Sequence, residues 1–197
     1  MTSILKADTI QDTDGNNIIN ENSNTITIGA SGDTTNIVGT LQNNGAAVGG
    51  TNTPAFSANK TSGTISFSIN TFAKLTLDNE LYDTASAYDT SNGRFTVPSG
   101  QGGKYHFSAH CVPYEQANIA MTGHNLAFYK NGSLEIYVPY LYDNVTGYYK
   151  GMSISADLDL SAGDYVEFYV RVYAGSGTGR AEVGASYNRF SGFKLIE

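Results

Sequence analysis

The chain has 197 residues, enough for one large domain or for one domain with an appendage. A hydrophobic fraction of 40%, a charged fraction of 15%, 22 glycines, 14 tyrosines, 9 phenylalanines and no tryptophan suit an all-β protein with many tight turns. The net charge of −7 speaks against a nucleic-acid partner, no apolar run reaches the length of a secretion signal or a membrane span, and the single Cys111 excludes an intrachain disulfide and a cysteine metal cluster.

Two regions of different character follow one another. All aromatic residues lie at Phe56 or later, and the first 50 residues hold only Lys6 against Asp8, Asp12, Asp14, Glu21 and Asp33. "NNGAAVGGTNTP" is a small-residue hinge, so the boundary is set between residues 52 and 53. Within residues 1–52, short β-like pieces ("ADTIQ", "NIIN", "TITIG", "TNIVGTLQ") alternate with the turn signals "DTDGNN", "ENSN" and "ASGD". Ile10, Ile18 and Ile26 are evenly spaced. Low hydrophobicity also suits a disordered acidic tail. The β-branched residues and the scarcity of Pro, Lys and Glu favour the alternative, an extended β shaft in which three copies pool their few Ile and Val side chains along one axis.

Residues 53–197 read as a β-sandwich. Strand-like runs are "TISFSI", "AKLTL", "GRFTV", "GKYHFSAHCV", "NLAFYK", "SLEIYV", "MSISADLDL", "DYVEFYVRVY" and "FSGFKLI", and no window has helical periodicity. Asn131-Gly132 between two of these runs is a two-residue hairpin signal, and Asn92-Gly93 introduces "RFTVP" in the same way. Nine or ten strands at this spacing imply two packed antiparallel sheets. Cys111 alternates in phase with Tyr105, Phe107 and Ala109 and reads as a small core residue. In "DYVEFYVRVY", Val166, Phe168, Val170 and Val172 should enter the core. The other row, Tyr165, Glu167, Tyr169, Arg171 and Tyr173, suits a subunit interface or a plain sheet surface.

Four motifs in this half resemble the globular head of complement component one, subcomponent q, which shares a jelly roll with tumour necrosis factor. They are Gly93, Phe95, Thr96 and Pro98 with Gly103, Tyr105 and Phe107; "LAFYKNGS"; Leu158, Leu160, Gly163 and Asp164; and the closing Phe190, Ser191, Gly192, Phe193 and Leu195. The resemblance implies an antiparallel jelly-roll sandwich assembled as a homotrimer. The loop "VPSGQGGKY" looks about two residues longer than the family's, and "YVPYLYDNVTGYY" departs from the pattern. The N-terminal region is similar in style to the slender shafts of tailed-bacteriophage fibres.

No catalytic constellation is present. His106 and His110 share one face of their strand, opposite Tyr105 and Phe107. That face reads as a wet sheet surface or subunit contact, or in a trimer as a metal site on the axis. The carboxylates Asp78, Glu80 and Asp83, and Asp157, Asp159 and Asp164, read as solvated loop residues. Some heads of the resembled family hold calcium, but no ligand set for it can be placed here. "GSGTGR", Gly175 to Arg180, has the look of a phosphate loop, but no helix follows it, so a hairpin loop is expected. No cofactor is therefore assigned. Tyr137, Tyr140, Tyr142, Asp143, Asn144, Tyr148 and Tyr149 crowd one stretch whose rings and amides could hold sugars. This stretch is the candidate ligand surface, with packing of a loop or trimer seam as the competing role.

The expected function is non-enzymatic: a structural component of a bacteriophage virion, a trimeric tail fibre or spike whose head contacts the host surface. Its partners would be two further copies of itself, other virion proteins through the N-terminal region, and a host-surface glycan or protein. Nucleic acid and membrane insertion are not expected. Absence of a secretion signal fits assembly in the host cytoplasm. A capsid decoration or head-fibre protein and a free carbohydrate-binding module of cellular origin are the alternatives.

Overall fold

The computed structural model describes residues 52–63, 65–115, 120–146 and 150–195, and in the first 51 residues 9–11, 13, 17–22, 25–28, 31–32, 34–38, 41–43 and 46–47. The chain divides into two compact units, Met1–Gly50 and Thr51–Glu197.

In the first unit β1 (Thr9–Gln11), β2 (Asn17–Asn22) and β3 (Thr25–Ile28) form an antiparallel meander, and β4 (Gln42–Asn43) pairs β5 (Ala46–Ala47). Three of the four expected β pieces coincide with these strands. Residues 35–38 of the fourth piece are not in a strand, and they leave Ile37 and Val38 exposed. The backbone register places Ile10, Ile19 and Ile28 in one row across the three strands, in place of the evenly spaced Ile10, Ile18 and Ile26. Ile10, Ile26, Ile28, Ile37, Val38 and Leu41 are all exposed, Val38 to 94%. Among the described residues, these six apolar side chains stand in water in a single copy.

The second unit opens with β6 (Ala55–Asn59), β7 (Ile65–Phe67), β8 (Ala73–Lys74), β9 (Asn79–Asp83), β10 (Tyr88–Asp89) and β11 (Arg94–Thr96). The long strands β12 (Gly103–Cys111), β14 (Ala120–Lys130), β15 (Ser133–Thr146), β16 (Met152–Leu160), β17 (Tyr165–Ala174) and β19 (Arg189–Lys194) follow, with the short β13 (Pro113–Glu115) and β18 (Gly179–Ala181) between them. Two antiparallel sheets, ordered β16-β12-β19-β6-β9 and β10-β11-β17-β14-β15, face each other as a jelly-roll sandwich, and β8 pairs β17 beyond the end of β11. There are more strands than the periodicity predicted: β9, β10, β13 and β18 are short or polar, and β6, buried along its whole length, has no in-and-out alternation to mark it. The run "SLEIYV", expected to end at Val138, continues through the Tyr-rich stretch as β15 as far as Thr146.

Alternation builds the core. Tyr105, Phe107, Ala109 and Cys111 point inward from β12, and Val166, Phe168, Val170 and Val172 from β17, all at most 2% exposed. Phe56, Phe95, Phe128 and Phe190 complete an aromatic cluster between the sheets. Burial raises the Cys111 thiol pKa far above its usual value, so it behaves as a small apolar group. Asn131 and Gly132, both at positive φ, form the β14–β15 hairpin turn as expected. Asp164 ties that turn down: it accepts from Asn131 Nδ2 at 2.8 Å and from Ser161 N at 2.9 Å. Gly192 has its own reason to be glycine, since a Cβ there would sit 2.5 Å from Phe107 Cδ1.

Candidate functional site

The two sheets turn very different faces outward. On the β16-β12-β19-β6-β9 sheet the register aligns Ser155, Ser108, Ser191 and Ser57 across four neighbouring strands, with Tyr82 of β9 as the fifth member of the row. The next row holds Asp157, His106 and Phe193. His106 Nδ1 lies 2.7 Å from Asp157 Oδ1, and its ring is 5.4 Å from that of Phe193. His110 shares a third row with Ser153 and Arg189. The two histidines thus face outward as alternation required. Among the described residues no group of three His, Cys, Asp or Glu side chains could hold a metal within one copy. Small hydroxyls line the centre of this sheet, and Phe193 on its central strand and Tyr82 on its edge strand are exposed.

The edge strand β15 is apolar. Leu134, Ile136 and Tyr140 are exposed to 44%, 39% and 50%, and Tyr137 to 46%. Tyr137 and Tyr140 are three residues apart in one strand, so they lie on opposite sides of the sheet. Tyr140 pairs with His124 on the core side, ring to ring at 5.5 Å. Tyr137 belongs to the outward side. Tyr142, Asp143 and Asn144 continue the strand, and Tyr148 and Tyr149 lie outside the described residues. Of the tyrosine cluster's members with described side chains, Tyr137 and Tyr140 thus do not share a face, and Tyr137 joins an aromatic platform.

That platform is the outward face of β17, β14 and β15. Tyr129 and Tyr169 stack at 3.9 Å between ring centroids. Phe72, from the segment leading into β8, sets its ring edge-on to Tyr129 at 5.9 Å and to Tyr137 at 6.2 Å. Ala127 sits between Tyr169 and Tyr137 in the register and is fully buried although it faces outward, so these rings roof it. The guanidinium of Arg171 lies 4.2 Å from the Phe72 centroid and 4.6 Å from that of Tyr173.

Charge on this face is unevenly matched. Glu167, 2% exposed, accepts from Lys74 Nζ at 3.0 Å, from Arg94 Nε at 3.0 Å and Nη2 at 2.8 Å, and from the Tyr169 hydroxyl at 3.3 Å. Burial pushes its pKa up, but the two cations outweigh burial and hold it below the usual glutamate value. Arg94 also stacks on Tyr165 at 3.7 Å. Arg171 has no carboxylate partner among the described residues. With the Asn125 amide oriented to satisfy both neighbours, its oxygen accepts from Arg171 Nη2 at 3.0 Å and its nitrogen donates to His124 O at 2.9 Å. Sequence reasoning placed Arg171 in the correct row but missed Phe72. A lone aromatic in "NTFAK" carries no periodic signal, and its partners lie more than 50 residues away.

Of the other carboxylates singled out, Asp78, Asp83, Asp157 and Asp164 have structural partners. Asp78 pairs with Lys60 and Asp157 with His106. Asp83 accepts from Ala85 N at 3.1 Å and Tyr88 N at 2.7 Å, and Asp164 pairs with Lys130 at 3.3 Å. Residues 175–178 form an exposed connection between β17 and β18.

The family model of the C1q domain matches residues 55–195. Among solved structures, the globular domain of zebrafish complement 1qA protein is 22% identical with a TM-score of 0.50, over 73% of this chain and 98% of that one. The Eiger TNF structure from S. frugiperda is 14% identical with a TM-score of 0.54, over 73% of this chain and 92% of that one. No curated protein matches the chain significantly.

Proposed function

Because the chain belongs to the C1q domain family, whose C1q/TNF-like domains commonly form homotrimers and are generally not enzymes, we propose that it is a trimeric attachment protein of a bacteriophage virion, a tail fibre or spike. In this reading the first unit is the shaft and virion anchor, and the jelly roll is the head that contacts the host surface. One observation carries it: among the described residues of the first unit, Ile26, Ile28, Ile37, Val38 and Leu41 are exposed to between 48% and 94% in a single copy. Two identical companions supply the missing cover, which is the logic of folds whose single repeat is unstable alone.

The head supports the same symmetry. It carries a serine-lined face on one sheet and an exposed apolar edge, Leu134 and Ile136, on the other. A contact between two different faces of identical molecules is head-to-tail, and such contacts generate rings when the rotation closes. Three heads on one shaft give multivalent grip, so weak single sites suffice. Labelling purified phage particles with an antibody to the jelly roll tests the reading. Label at the tail or baseplate is expected; label on the capsid would instead mark a decoration protein, and unlabelled particles would leave a free binding module.

A further inference from the structure

The platform around Arg171 has the chemistry of a binding site for a carboxylated sugar, and the geometry points to the uronic-acid units of an acidic surface polysaccharide as its ligand, an inference that rests on the host-attachment reading above. Three observations converge on one ligand class.

The first is uncompensated charge. The chain is acidic overall, yet on this face Glu167 is already shared by Lys74 and Arg94. Arg171 is left with an amide oxygen as its hydrogen-bond partner, and its Nε is buried without one among the described residues. A half-buried guanidinium in that state gains most from an incoming carboxylate, because charge-assisted bonds are stronger where water is partly excluded.

The second is how the cation is held. Phe72 and Tyr173 hold the guanidinium within 4.6 Å of their ring centroids, so less of the entropy cost of ordering a free arginine falls on ligand binding. The third is what lies beside it. Tyr137 is 46% exposed and edge-on to Phe72, next to the Tyr129–Tyr169 stack. Rigid amphipathic rings beside a fixed cation offer a stacking surface for the apolar side of a sugar ring and hydroxyls for its polar rim. A neutral glycan would leave the guanidinium uncompensated, and a simple anion would leave the rings unused.

The test is equilibrium binding of the full chain to polygalacturonate, with neutral dextran as the control polymer. Polygalacturonate should bind and dextran should not. Added salt should weaken the binding, since part of it is charge pairing at a half-exposed site. Arg171→Gln should weaken it on the order of tenfold, the loss of one charge-assisted contact. Arg171→Lys should recover only part of that, because a lysine keeps the charge without the planar fork. Tyr137→Ala removes a largely exposed ring, so it keeps the fold testable if Arg171→Gln does not fold, and it too should weaken binding. Equal binding of both polymers, no binding of polygalacturonate, or undiminished binding by folded Arg171→Gln or Tyr137→Ala would overturn the site. Tail labelling that persisted alongside such a result would leave the attachment reading standing, whereas unlabelled particles would remove that reading whatever the polymers did.

Discussion

Replacing Phe56 with alanine is expected to lower the folding stability of the jelly roll by about 4 kcal/mol, within the range for truncating a fully buried phenylalanine. Phe56 belongs to β6, yet its ring stacks on Tyr88 at 4.9 Å and on Phe95 at 5.0 Å, both in the opposite sheet, and meets Phe190 edge-on at 5.0 Å. It therefore bonds one sheet to the other, and its removal opens a cavity between them rather than a dent at the surface. Aromatic pairs of this kind add about 0.5–1.5 kcal/mol beyond burial. Since domains of this size have only about 5–15 kcal/mol in hand, the variant should be marginal. A denaturant titration would show it, and a loss below about 1 kcal/mol would contradict the packing described.

The second large effect concerns acid. His124 is 1% exposed, in the row of β14 that faces the core, and its pKa falls to about 4, first through burial and then through the charge of Lys150. The folded state then binds its proton only near pH 4, whereas the unfolded chain binds it near the ordinary histidine value of about 6.5. Between those limits the unfolded state holds more protons, so stability is full above the upper limit and drains away as the pH falls toward the lower one. The gap corresponds to about 3 kcal/mol. In His124→Leu this part of the pH dependence should vanish, although carboxylates still act below about pH 5. Melting temperatures across the acid range, read as the difference between the two proteins, check it; parallel curves would contradict a neutral buried His124.

Much of the sandwich was legible because period-two alternation is a local signal. Tyr105, Phe107, Ala109 and Cys111 announce one buried face, and the valines and phenylalanine of β17 another. Asn131-Gly132 announces its own turn, since both residues accept the positive φ that the hairpin demands. Long-range packing was not legible in that way. The role of Phe72 depends on rings from β14 and β15, and nothing beside it in the chain hints at them. The tyrosines after Ser133 are close in sequence, which is all that groups them there. Their strand conformation instead sends Tyr137 and Tyr140 to opposite sides. Glu167 looked like one more polar residue in an outward row, but Lys74 and Arg94 converge on it from β8 and β11 and make it a buried ionic hub. In the first unit the isoleucines signalled β structure correctly, but the row they form follows the strand register, Ile10, Ile19 and Ile28, and not an even spacing along the chain.

The central claim is that three copies share the apolar residues one copy leaves exposed. Sedimentation equilibrium of the full chain at micromolar concentration tests it most directly. The account predicts a single species of three times the 21.0 kDa protomer mass; a stable, folded 21.0 kDa monomer would contradict it.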